Sequence, residues 1–170
     1  WNHHKQLRMT EEQIKDEFKE TEGKPEVKSR IRQTQQEMAR RRMMAAVPHA
    51  DVVVTNPTHF AVALKYDQSA MKAPRVVAKG ADLVAAEIRE RARAAGVLLF
   101  SAPPLARALY FSTRIDQEVP AGLYVAVAHV LAYVYQLRAA GNDSAARRPE
   151  PPTELPVPED FLRRSPPDRN

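Results

Sequence analysis

The stretch 51-DVVVTNPTHFAVALKYD-67 decides the fold. Asp51 to Val54 is a short β-branched run that ends at the Asn56-Pro57 turn signal. Beyond the turn, Phe60, Val62, Leu64 and Tyr66 alternate with Ala61, Ala63 and Lys65, the period of two expected of a strand. Two strands therefore flank a tight turn. Further along, RVVAKG (75–80) and VLLF (97–100) are a third and a fourth strand. Residues 82–95 between them are helical, with Val84, Ile88 and Ala92 inward and Gly96 where a helix stop belongs. Ser101 is placed to cap a short helix that opens at Pro103-Pro104, with Leu105 and Leu109 inward. A last helix runs from Pro120 to about Arg138. Strands interleaved with helices predict a small α/β domain over residues 48–140, a four-stranded sheet surrounded by helices. The helical crossover at 82–95 predicts that the third and fourth strands run parallel.

Residues 1–47 and 141–170 read differently. Thr10-Glu11-Glu12-Gln13 is a capping box that opens a helix with only Ile14 and Phe18 as an apolar stripe, interrupted at Gly23 and Pro25. A second helix carries Val27, Ile31 and Met38 on one side and Arg40, Arg41 and Arg42 near its end. Both are too polar to bury themselves, so 1–47 is predicted to be an extended charged arm. Trp1 with His3, His4, Lys5 and Arg8 resembles the cytoplasmic flank of a membrane helix. From 141 onward the chain is predicted to be a disordered tail, because RRPEPPTELPVPEDFLRRSPPDRN holds seven of the 14 prolines. The apolar segment AGLYVAVAHVLAYVYQL (121–137) is short for a membrane span and contains His129, so a helix in a protein core is expected.

Composition excludes several chemistries. With no cysteine there is no disulfide, thiol nucleophile or cysteine metal site. There is no P-loop, GxGxxG, HExxH or GxSxG, and the histidines lack metal-ligand spacing, so no cofactor and no metal are expected. The net charge of +5 favours acidic partners. Arg40, Arg41 and Arg42 suit anionic lipid headgroups, acidic proteins or a merely solvated face. A nucleic-acid-binding or anionic-surface-binding module is the alternative reading, although the arm lacks the interleaved aromatics of single-strand binders.

Asn56-Pro57 carries its own chemistry. Proline has no N–H, so the attack that normally deamidates asparagine is blocked. The reverse attack stays open: the Asn56 side-chain nitrogen closes a succinimide on its own backbone carbonyl and expels the Pro57 nitrogen. Well-aligned intramolecular geometry supplies up to about 7–11 kcal/mol for such a step. A β-turn centred on Pro57 and Thr58 returns His59 toward Asn56, and imidazole suits acid–base work near neutrality. Thr58 is placed to position the turn or a water. A turn held taut between two strands also twists the 56–57 amide, at about 1 kcal/mol for about 12°. An ordinary turn is the competing account of all four residues.

TNPTHFAVALKYD, together with IKDEFKETEG, RIRQTQQEMARRRMM, APRVVAKGADLVAAEIRE and APPLARALY, resembles the cytoplasmic domain of the flagellar members of the type III secretion export-switch family. The match runs from about Leu7 to Ala139 and leaves out the proline-rich tail. The resemblance implies membrane helices before Trp1, placing the domain at the cytoplasmic face of the bacterial inner membrane. It implies single-turnover autocleavage between Asn56 and Pro57 within the motif Asn56, Pro57, Thr58, His59, with both pieces staying in one folded domain. It also implies a switch of export from rod and hook subunits to filament subunits. The implied partners are other export-apparatus membrane proteins, a hook-length control protein, and export substrates with their chaperones. No nucleic acid is expected.

Overall fold

A computed structural model describes residues 10–17, 23–143 and 147–163. The chain divides into two compact units, Trp1–Arg42 and Met43–Asn170. In the first, residues 10–17 form helix α1, and α2 (Pro25–Ala46) begins with its proline in the first turn, where the missing N–H costs nothing. Val27, Ile31 and Met38 remain exposed, as expected of a helix too polar to bury itself. Phe18 and the Trp1–Arg8 cluster lie outside the described residues.

The second unit holds a four-stranded sheet in the order β3-β2-β1-β4. Its strands are β1 (Val52–Asn56), β2 (Phe60–Lys65), β3 (Arg75–Ala81) and β4 (Leu98–Ser101). β1 pairs antiparallel with β2 and parallel with β4, and β2 pairs antiparallel with β3. β3 and β4 thus point the same way, as the crossover predicts, but they are opposite edges of the sheet with β2 and β1 between them. The valine-rich β1 takes the centre because both its faces are apolar, and Val52, Val53 and Val54 are fully buried.

Alternation in β2 sorts the two layers. Ala61 and Ala63 join Val53 and Ala78 under α3 (Asp82–Ala94), which contributes Ala85, Ile88 and Ala92. Val62 and Leu64 join Val52, Val54 and Val76 on the opposite face, covered by α4 (Pro103–Ser112) and α5 (Tyr124–Ala140). Small residues beneath α3 let that helix approach closely. Gly80 takes this furthest: a Cβ there would lie 3.1 Å from the Ala85 nitrogen and 2.9 Å from Val84 Cβ. Gly80→Ala is therefore expected to destabilise the domain by about 1–3 kcal/mol, measured by urea unfolding; an unchanged midpoint would contradict this packing.

Three expectations change. The compact unit begins at Met43 rather than at 48, because Met43, Met44 and Val47 pack under α3. Ser101 does not cap α4; it ends β4, and the N-cap is Ala102 with no side-chain cap bond. The tail is not uniformly disordered. Leu155, Val157 and Phe161 pack on the core, and α6 (Glu159–Leu162) forms one turn. Proline and charge dominate the tail's composition, whereas its few apolar residues decide whether it docks.

The span Ala121–Ala140 is long and apolar enough to cross a membrane. In this fold it is a core helix, with Ala126, Val127, Val130, Leu131 and Val134 buried.

Candidate functional site

The turn between β1 and β2 holds Pro57, Thr58 and His59, all exposed, while Asn56 is half-buried and pairs across the hairpin with Phe60. The His59 N–H donates to the Asn56 carbonyl oxygen at 2.9 Å, closing the β-turn expected from the sequence. Pro57 takes the first central position. Thr58 takes the second with φ 75°, the left-handed conformation that a type II turn demands there. Glycine or asparagine normally fills that place, and a β-branched residue is an outlier. The strain therefore sits at Thr58, where about 1–3 kcal/mol is typical. Thr58→Gly is expected to raise stability by about 1 kcal/mol in chemical denaturation, and a drop would contradict strain at this residue.

The loop is fastened at both ends. The His59 carbonyl accepts from the Asp82 N–H at 3.0 Å, tying the turn to the start of α3, where Asp82 itself has φ 51°. On the other side, the Thr55 carbonyl accepts from the Ala102 N–H at 2.9 Å, and the buried Thr55 hydroxyl reaches the Phe100 carbonyl at 3.5 Å. Gly80 permits the first fastening by letting α3 close on β3. None of these anchors was legible in the motif itself, although Gly80-Ala81-Asp82 after a strand is a corner signal.

Phe60 seats the far side of the loop. Its ring lies 4.6 Å from that of Tyr110 and 5.4 Å from that of Phe111, centroid to centroid. Lys79 Nζ donates to the Tyr110 carbonyl at 2.8 Å and stands 5.1 Å from the Tyr110 ring centre. Burial, and secondarily the positive charge of Arg114, pulls the Lys79 ammonium below its ordinary pKa. Neither the Asn56 amide nor the His59 imidazole has a hydrogen-bond partner among the described residues, so both are free to engage each other or water.

Chemically, the turn offers one bond to attack by the Asn56 side chain, with one hydrogen-bond donor in place. Attack by Asn56 Nδ2 on its own carbonyl carbon turns that carbonyl oxygen into an oxyanion, and the His59 N–H already points at it. A single such donor is worth about 2.7–4 kcal/mol in an enclosed site and less at an exposed one. Residue types alone cannot name this donor, because it is a backbone group. Among the described residues no cluster of His, Cys, Asp and Glu could hold a metal ion.

Comparison with known proteins agrees with this architecture. The family model described as "FlhB HrpN YscU SpaS Family" matches residues 1–134. The flagellar biosynthetic protein FlhB of Escherichia coli (strain K12) is 56% identical over 171 aligned positions, covering 98% of this chain and 44% of that protein. The chain thus spans less than half the length of that relative. The crystal structure of the cytoplasmic domain of FlhB from Shewanella putrefaciens superposes with a TM-score of 0.66 at 53% identity, covering 72% of this chain and 94% of that one. Two mutated C-terminal domains of EscU, one with an asparagine changed to alanine and one with the next residue, a proline, changed to alanine, give TM-scores of 0.53 and 0.51. Their identities are 26% and 27%, and they cover 54% and 53% of this chain and 92% and 89% of their own. With residues 1–134 of its 170 matching the family model and the four-stranded α/β fold shared, the chain belongs to the FlhB HrpN YscU SpaS family.

Proposed function

We propose that this chain is the cytoplasmic domain of a flagellar export-apparatus component, one that cuts itself once between Asn56 and Pro57 and thereby switches the class of subunit exported. The observation that carries the reading is the Asn56 carbonyl, accepting from the His59 N–H in a turn strained at Thr58 and fastened at both ends. The flagellar relatives and the matching bacterial-export family model support the assignment to a flagellar export apparatus, and the EscU domains altered at a consecutive asparagine and proline support a role for that dipeptide.

The steps balance within the chain. Asn56 Nδ2 forms a bond to the Asn56 carbonyl carbon, and the bond from that carbon to Pro57 nitrogen breaks. One Nδ2 proton moves to the departing proline nitrogen, with the His59 imidazole as carrier, leaving a C-terminal succinimide that water opens. His59→Ala is expected to slow scission by 10²–10⁴-fold, the usual worth of a positioned acid–base group, without changing the products. Time courses at neutral pH followed by denaturing electrophoresis check it, and an unchanged rate would remove the imidazole from this role.

The cut pieces stay together because β1 is the central strand. The 1–56 piece keeps Val52, Val53 and Val54 paired to both β2 and β4, and each buried valine contributes about 1.5–3 kcal/mol. A polar clasp adds to this. Asp51 Oδ1 accepts from Arg138 at 3.0 Å and its Oδ2 accepts from the Tyr66 N–H at 2.7 Å, so one residue of the first piece binds two of the second. Scission therefore alters a loop and leaves the core standing. Two new chain ends appear beside Phe60, which pairs with Asn56, and a changed surface without unfolding is what an export switch needs. The resemblance to the export-switch family adds to this reading a switch from rod and hook to filament subunits, with a hook-length control protein and the export substrates with their chaperones as partners. It also adds a place at the cytoplasmic face of the inner membrane, beside the other membrane proteins of the apparatus.

A further inference from the structure

Residues 149–162 lie along one face of the domain in a pattern of their own. Pro149, Pro152 and Leu155 are half-buried and three residues apart, the spacing that aligns side chains on a polyproline II helix. Leu155, Val157 and Phe161 then pack against the core formed by α4 and α5. Backbone bonds from Val157 N–H to the Leu155 carbonyl and from Phe161 N–H to the Pro158 carbonyl close within the segment. Apolar side chains therefore do most of the holding, the usual mode for proline-rich peptides.

The receiving face is built to match. Phe100, Pro103, Pro104 and Leu105 line it at the junction of β4 and α4. Gly122 opens the seat for the Phe161 ring, since a Cβ there would come within 2.6 Å of Phe161 Cε2. The fit is incomplete: a cavity of about 160 Å³ remains between this wall and residues Pro152, Thr153, Leu155 and Val157. The same wall touches the candidate cleavage site, because Ser101 pairs with Thr55 and the Ala102 N–H donates to the Thr55 carbonyl.

We propose that the β4–α4 junction is a binding site for an extended proline-rich peptide carrying apolar residues at its first, third and seventh positions. Residues 149–162 occupy it in cis, as a strap that another segment of the same chemistry displaces. The half-buried side chains, the self-contained backbone bonds and the unfilled cavity make the strap exchangeable. Its tether holds it at an effective concentration on the order of millimolar, so it excludes weaker peptides while the chain is intact. This inference does not depend on scission, so it stands or falls apart from the reading above.

The test uses a fluorescent peptide with the sequence of residues 148–163 and the 170-residue chain, with and without Leu155→Ser plus Phe161→Ser. Anisotropy titration is expected to show saturable binding to the doubly substituted chain and binding at least tenfold weaker to the unsubstituted one. A peptide bearing the same two substitutions is expected not to bind. No binding to the substituted chain, equal binding to both chains, or equal binding of the altered peptide would each overturn the proposal. Amide hydrogen exchange on the unsubstituted chain gives a second readout. Peptide at several millimolar should speed exchange at Leu155–Arg163 while β1 and β2 stay protected, and unchanged exchange there would also overturn it.

Discussion

Asn56→Ala is expected to leave the chain as one piece of 170 residues on a denaturing gel, at times when the unsubstituted chain has resolved into two. Alanine has no side-chain nitrogen, so the cyclising nucleophile is gone and no neighbouring group replaces it. Hydrolysis of the bond by water alone lacks the intramolecular advantage of about 7–11 kcal/mol, a loss of five or more orders of magnitude in rate. The fold should not change. Asn56 ends β1 half-buried, and the His59 N–H still finds the residue-56 carbonyl, which is backbone. Circular dichroism matching that of the unsubstituted chain separates lost chemistry from lost structure. Two pieces from the Asn56→Ala chain would refute the role given to that side chain.

The second large effect concerns what holds the pieces together. Val53 faces the alanine-lined layer under α3, and Val54 faces the α4–α5 layer. Val53→Ala with Val54→Ala removes two methyl groups from each face of the central strand, at about 2 kcal/mol per residue. In the cut chain this loss falls on the association of two molecules. The 1–56 piece should then separate from the rest at a urea concentration well below that needed for the unsubstituted cut chain. In the uncut Asn56→Ala background the same pair should lower the unfolding midpoint without releasing a piece. Size-exclusion chromatography across a urea series reads both. Separation at the same urea concentration with and without the valine changes would mean that β1 does not anchor the first piece.

Much of this fold is legible because its strands differ sharply from its helices. Val52 to Val54, the alternation from Phe60 to Leu64, and the apolar spacing of Ile88 and Ala92 each specify one structure locally. Strand order is not local: the central place of β1 and the separation of β3 from β4 depend on which face α3 crosses, and no residue within β3 or β4 records that. Ser101 misled because a serine before two prolines imitates a cap, whereas pairing with Thr55 draws it into β4. The tail misled because its prolines outweigh Leu155, Val157 and Phe161 in any count, although those three dock it. At the candidate site the four motif residues and the turn were legible. The strain at Thr58, the donor N–H of His59 and the fastenings at Asp82 and Ala102 were not, since each is a property of the backbone in three dimensions.

The central claim is that the bond between Asn56 and Pro57 breaks by attack of the asparagine on itself. Intact-mass measurement of the purified, folded chain after incubation at neutral pH tests it most directly. The account predicts two species, residues 1–56 and a 114-residue piece beginning at Pro57 (170 less 56), with a fraction of the shorter one lighter by one water as the unopened succinimide. A single species of 170 residues after long incubation, or a cut at any other bond, would contradict it.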